Sequence, residues 1–202
     1  MSGFPVSRRP MRTAITSAAL LLSSAAWADG PFPGNLNEAD QQAFDAHDLR
    51  LEQMVDHVRA HANGVDGKAL DGAIRPAVAA LPAEKMLGKW RCRSIQLSDT
   101  DDLPIVVYRD FQCQITDDGA GLQLTKLTGS QRPAGTLYDL GGDRLGFAGA
   151  LALGDEPKAP RYGQQADRNQ VGYLVPMSAR HMRLELQQAS RPGAFEVLEL
   201  RR

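Results

Sequence analysis

The sequence predicts an α+β protein in which short N-terminal helices precede an antiparallel meander of eight strands, closed into a barrel or into a sandwich that nearly closes. Three observations predict it. From Gly88 to Leu200 apolar and polar residues alternate with period two, in segments separated by turn residues at short intervals. Ahead of Gly88 the apolar spacing is three or four, the helical period. The two cysteines, Cys92 and Cys113, fall in the first two strand segments, where one bridge closes a hairpin.

The amino terminus reads as an export signal rather than as part of the fold. Arg8, Arg9 and Arg12 precede an apolar run from Ala14 to Ala26, and Ala26-Trp27-Ala28 offers a small-x-small cleavage site before Asp29. That run is too short and too serine-rich to span a bilayer, and no other stretch approaches the about 20 apolar residues a membrane helix needs. Translation starts at Met1 or at Met11, since Met11-Arg12 alone makes a minimal basic region. Cleavage after Ala28 removes three arginines and no acid, which takes the formal charge from −1 to −4. A weakly acidic body of ordinary composition, 43% hydrophobic and 23% charged over 202 residues, argues against nucleic acid and anionic lipid as partners. Exported thiols are oxidised, so Cys92 and Cys113 are expected to pair.

Residues 29–36, with Gly30, Pro31, Pro33 and Gly34, suit a flexible arm. Residues 37–87 form the helical region. Asn37 opens a first helix in which Phe44, Leu51, Val55, Val58 and Ala62 recur on one side, with Asp48 as a polar lapse, and Gly64 ends it. A second helix spans 66–80, shortened or kinked by Pro76. The β domain, 88–202, carries strands near 88–97, 104–116, 121–129, 132–139, 144–150, 170–176, 180–187 and 194–200. Asp118-Gly119 and Gly141-Gly142 are hairpin turns, and 152–168 is one long loop.

If Cys92 lies directly opposite Cys113, then Trp90 meets Ile115 and Ser94 meets Phe111. Trp90, Cys92, Phe111, Cys113 and Ile115 then share the inner face, with Arg91, Arg93, Gln112 and Gln114 outside.

Candidate chemistry is sparse. His57 and His61 stand four apart, the spacing that turns two imidazoles toward one metal, but no third ligand motif accompanies them, and no metal or cofactor is expected. His47, ten residues from His57, is a third member of the same helix face only loosely. No Gly-x-Ser-x-Gly pentapeptide occurs. The paired acids Asp101-Asp102, Asp117-Asp118 and Asp155-Glu156 all fall in turns, where aspartate serves the backbone. The distinctive segment is Lys126-Leu127-Thr128-Gly129-Ser130-Gln131-Arg132-Pro133. Its Lys126, Thr128, Ser130, Gln131 and Arg132 offer an ammonium, two hydroxyls, an amide and a guanidinium, a set that binds a carboxylate or a sugar or else satisfies its own bend.

The chain also resembles known proteins. Gly88-Lys89-Trp90, with Arg201 or Arg183 near the end, is similar to the Gly-x-Trp and late arginine of lipocalin-like barrels, where the cation stacks on the indole. Trp90-Arg91-Cys92-Arg93, Phe111-Gln112-Cys113-Gln114-Ile115, Lys126 to Pro133, Gly149 to Glu156, Tyr162-Gly163, Val171-Gly172, Arg183-Leu184 and Val197-Leu198-Glu199-Leu200 together resemble an exported proteobacterial family catalogued as domain of unknown function 4893. That resemblance implies a periplasmic setting and no activity. Where members of that family carry a Glu-Ser pair before the last strand, this chain has Pro192-Gly193.

The functional expectation is a periplasmic or secreted module that binds an unknown small ligand or an envelope protein, with no assembled catalytic set. Its sharper form is a peptidase inhibitor whose Gly/Pro-rich arm enters a cleft. The alternative is a hydrolase of an envelope polymer with its polar site around Lys126–Arg132.

Overall fold

The structure, a computed structural model, describes Met1 and residues 32–62, 64–77 and 81–202. The export signal and residues 29–31 of the arm lie outside the described residues, Met1 apart. Eight antiparallel strands follow the helices: β1 (Gly88–Ser98), β2 (Ile105–Asp117), β3 (Leu122–Lys126), β4 (Gln131–Asp139), β5 (Leu145–Leu153), β6 (Asn169–Ser178), β7 (His181–Gln187) and β8 (Ala194–Arg201). Each pairs with the next and β8 pairs back onto β1, so the meander is a closed barrel without a free edge.

Alternation sorts each strand into an inner and an outer row. Trp90, Cys92, Ile115, Leu124, Leu137 and Phe147 fill the interior with Leu174, Leu184 and Leu198. Helices cover part of the outside. α2 (His47–His61) and α3 (Val65–Ala73) set Met54, Val58 and Leu70 on Ile95, Leu97 and Val197, while α1 (Glu38–Asp45) sets Phe44 on Val171 and Tyr173. Strands β6 and β8 are therefore buried on both faces, which is why their sequences are apolar almost throughout.

The single first helix expected from 37 onward is two helices, hinged at Ala46, because Phe44 must reach β6 while Val58 must reach β1 and β8. Asn37 is the N-cap, its side chain accepting from the Asp40 N–H. The Asp40 carboxylate is buried and accepts from Asn37 Nδ2 at 2.6 Å, Tyr162 O–H at 2.7 Å and Asn169 Nδ2 at 2.7 Å, tying α1 to the loop before β6. α3 ends at Ala73, three residues before Pro76, and a short α4 (Ala83–Met86), absent from the expectation, leads into β1. Of the arm, residues 32–36 form turns on the barrel, with the Phe32 ring stacked on Tyr138 at 4.2 Å.

Cys92 and Cys113 are bonded, with their Cα atoms 6.0 Å apart. The register differs from direct opposition: Trp90 faces Cys113, Cys92 faces Phe111 and Gly88 faces Ile115. The slip is two residues, so the inner and outer rows are unchanged, and the bridge joins a diagonal pair brought close by strand twist. Beyond Cys92 one extra residue enters β2 near Asp110, whose φ of 67° marks the bulge. Asp118-Gly119 and Gly141-Gly142 both lie in strand connections, but these run Asp118–Gly121 and Leu140–Arg144 and are longer than two-residue hairpin turns. Reducing the bridge, or replacing both cysteines by alanine, is expected to cost about 3 kcal/mol, read as a lower urea midpoint together with a steeper slope, because the denatured chain is no longer cross-linked.

Candidate functional site

The two ends of the barrel differ. At one, α4 and the start of β1 close the bottom: the Trp90 indole N–H donates to Met86 O at 2.8 Å, and the Arg202 guanidinium stacks on the indole with its carbon 3.7 Å from the ring centroid. The stacking arginine is thus Arg202, not Arg201 or Arg183. Both of those side chains lie on the outer row: Arg201 bonds Glu199, and Arg183 bonds Glu185 and the Ala73 carbonyl.

At the other end the inner row turns polar. Register with Leu198 and Leu200 puts Ser94, Gln96 and Glu196 inside. The parity of Leu122 and Leu124 does the same for Lys126, that of Leu137 for Gln131, and that of Leu174 for Gln170. A cavity of about 190 Å3 opens there, lined by Gln96, Gln131, Gln170 and Glu196 and rimmed by Leu103, Val106 and Leu151.

Within this set Ser94 Oγ donates to Glu196 Oε1 at 2.5 Å, and Gln96 Nε2 donates to Gln131 Oε1 at 3.0 Å. Gln170 is 4% exposed, and its Oε1 is buried with no hydrogen-bond partner among the described residues. An acceptor left so is costly unless something else fills it. Burial pushes the Glu196 carboxyl above its usual range, against the opposing pull of Lys126 and the Ser94 hydrogen bond. Burial likewise pushes the Lys126 ammonium, which sits 3.9 Å from the Phe111 ring centroid, below its usual value, with Glu196 acting against that shift.

A carboxyl whose folded pKa is raised contributes stability below its unfolded value and loses it as pH rises through the folded one. Glu196→Gln is therefore expected to melt higher than the wild type at pH 8, the gap narrowing toward pH 4, as scanning calorimetry across that range will show.

The five residues expected around 126–132 do not converge. Lys126 and Gln131 face the interior. Thr128 Oγ1 accepts from the Gln112 N–H at 2.9 Å, and Ser130, which is exposed, accepts at its carbonyl from the Gly154 N–H. Arg132 reaches outward and clamps the carbonyls of Gly129, Gly154 and Glu156, joining two connections. The signal for Gln170 and Glu196 was present as polar residues on the inner parity of otherwise apolar strands. Their meeting was not, because they come from strands distant in sequence from Gln96 and Gln131. The paired acids serve turns: Asp117 and Asp118 accept from the N–H groups of Gly119 and Ala120, and Glu156 accepts from the Leu153 N–H and pairs with Arg168.

A wider groove of about 530 Å3 outside the barrel runs beside α2, but several of its charges are already matched, Arg144 to Asp48 at 2.6 Å and Arg183 to Glu185 at 2.5 Å. The His47 hydrogen bond, then Arg144, hold the Asp48 carboxyl well below the usual carboxylate range. No helix among the described residues is long and apolar enough to cross a membrane.

A search of curated proteins finds no match. Among solved structures, the chain is similar to a protein of unknown function from the DUF3598 family of Nostoc punctiforme PCC 73102. The two are 16% identical with a TM-score of 0.40 over 64% of this chain, which spans 53% of that protein. The family model described as Domain of unknown function (DUF4893) matches residues 34–200, which takes in α1 and every strand of the barrel, and the chain belongs to that family.

Proposed function

We propose that the barrel is an extracytoplasmic binding module that takes a small hydroxyl- or amine-bearing molecule into its open end. The observation that carries this reading is the Gln170 Oε1, an unpaired buried acceptor on a cavity that also presents the Glu196 carboxyl. The Gln170 oxygen calls for a donor, which a ligand O–H or N–H supplies, and the Glu196 carboxyl can accept from or donate to the same molecule. The cavity, about 190 Å3, is smaller than the roughly 300–1,000 Å3 of sites for drug-sized ligands, so the occupant is small or is the end group of something longer. Leu103, Val106 and Leu151 at the rim suit an apolar flank. The bonded cysteines and the export-type amino terminus support an oxidising, periplasmic setting.

Two rival readings have less support. Thr128 and Arg132 are engaged with backbone groups at their bend, which leaves the envelope-polymer hydrolase without convergent groups. Phe32 lies against Tyr138 and Phe44, so the described part of the arm is held on the barrel and does not suit a peptidase cleft.

The test is a thermal-shift and calorimetric screen of small amines, polyols and amino sugars against the tag-free, disulfide-bonded protein. A binder whose affinity falls at least tenfold in Gln170→Met is expected, the variant itself being as stable as the wild type or more so because the orphan acceptor is gone. Failure of every compound to bind, or equal binding to both proteins, sinks the reading. Peptidase inhibition retained by Gln170→Met would put the inhibitor in its place.

A further inference from the structure

The geometry points to a divalent transition-metal site on the outside of the barrel, formed by His57 and His61 of α2 and Asp101 of the β1–β2 connection. The two histidines stand four apart on one helix face, their rings 4.4 Å between centroids and 32° from parallel. Asp101 Oδ1 lies 3.8 Å from His57 Nε2 and 3.6 Å from His61 Nε2, and the three ligand atoms all fall within 4.8 Å of one another. The helix supplies two ligands and a loop distant in sequence supplies the third.

Each imidazole presents a free nitrogen to this point. His61 Nδ1 is 2.8 Å from the His57 carbonyl oxygen, so that nitrogen carries the hydrogen and donates it, leaving the Nε2 lone pair turned toward Asp101. His57 Nε2 is buried and has no hydrogen-bond partner among the described residues. Separations of 3.6 and 3.8 Å are too long for an N–H···O bond, so neither ring nitrogen is hydrogen-bonded to the carboxylate. A cation held between the three groups would engage them all. Around a tetrahedral ion with bonds of about 2.0–2.1 Å, ligand atoms sit about 3.3 Å apart, so closure asks each Asp101 separation to shrink by a few tenths of an ångström, on a side chain that is 74% exposed, and asks the two imidazole nitrogens, within 4.8 Å of each other, to draw together by rotation of the exposed His61 ring. Two imidazoles and one carboxylate suit Zn2+, with the fourth position left to water.

The placement has a consequence at the barrel mouth. Thr100 and Leu103, which flank Asp101 in the connection, line the cavity at the open end, so a bound ion ties α2 to the rim of that cavity. The site itself stands independently of what the cavity binds.

The test uses the full chain, free of any histidine tag and with the disulfide intact, titrated with Zn2+ alone by calorimetry and by competition with a chromogenic chelator. One ion per chain with micromolar affinity is expected, together with shifts confined to the imidazole resonances of His57 and His61 among the histidines. His61→Ala and Asp101→Asn, both at exposed positions, are each expected to weaken binding at least tenfold without changing the melting temperature in EDTA. Absence of binding at about 100 μM Zn2+ overturns the site, as does an affinity indifferent to either substitution.

Discussion

Replacing Trp90 by alanine is expected to cost about 3–5 kcal/mol of unfolding free energy, the range for removing a large aromatic from a packed core. Trp90 is 2% exposed, and it serves the closed end in three ways at once. It fills the interior beside Cys92 and Ile115, its N–H satisfies the Met86 carbonyl, and its face carries Arg202. Arg202 in turn donates to the carbonyls of Lys85, Met86, Leu87 and Lys89, so this residue just past β8 holds α4 and the start of β1 shut. Because both side chains act on one closure, the double variant Trp90→Ala/Arg202→Ala is expected to lose less than the sum of the single losses. Strict additivity in urea denaturation would show that the cation and the indole do not cooperate.

Glu199→Ala is expected to cost about 1.5–3 kcal/mol, as losing hydrogen bonds between charged groups does, because the partly exposed Arg93, His181 and Arg201 left behind still reach water. The carboxylate is 1% exposed on the outer face of β8. Around it stand Arg93 Nε, Arg201 at 2.6 Å and His181 Nε2 at 2.7 Å. Burial works to raise the Glu199 carboxyl, but the Arg201 hydrogen bond and the charges of Arg93 and Arg201 outweigh it and hold the group below its usual value. A carboxyl whose folded pKa is depressed contributes stability above its unfolded value and loses it as pH falls through the folded one. Burial also lowers His181, against its bond to Glu199, and a depressed imidazole likewise costs stability as pH falls below its ordinary range. Wild-type stability should therefore decline in acid, and Glu199→Ala should flatten that decline while lowering the neutral plateau. A variant with an unchanged plateau would mean that Arg93 and Arg201 find water as readily as they find the carboxylate.

The closed meander was legible because each strand is short and amphipathic, and period-two alternation is a local property that survives any uncertainty in partners. Cys92 and Cys113 share the parity of Trp90 and Ile115, so their pairing agreed with the inner row even though the register was off by two; a slip of two leaves every side chain on its own face. The helix break at Ala46 was not legible, since the helical spacing carries on past it with Asp48 as a single polar lapse, and one lapse does not distinguish a break from an exposed turn. Nor was Arg202 legible as the stacking cation, because Arg183, Arg201 and Arg202 have the same chemistry and only the closing geometry distinguishes them.

The candidate sites divide along the same line. Lys126 and Gln131 were visible as members of a dense polar segment, and His57 and His61 as a helical pair, because both signals sit within a few residues of sequence. The unpaired Gln170, the buried Glu196 and Asp101 come from β6, β8 and the β1–β2 connection, and nothing local announces which residues each of them meets. The sequence by itself determined the alternation, the disulfide and the identity of the family. Which polar side chains meet inside the barrel, and which loop reaches the histidines of α2, was decided only when β8 closed on β1, because closure converts residues far apart along the chain into neighbours around one cavity.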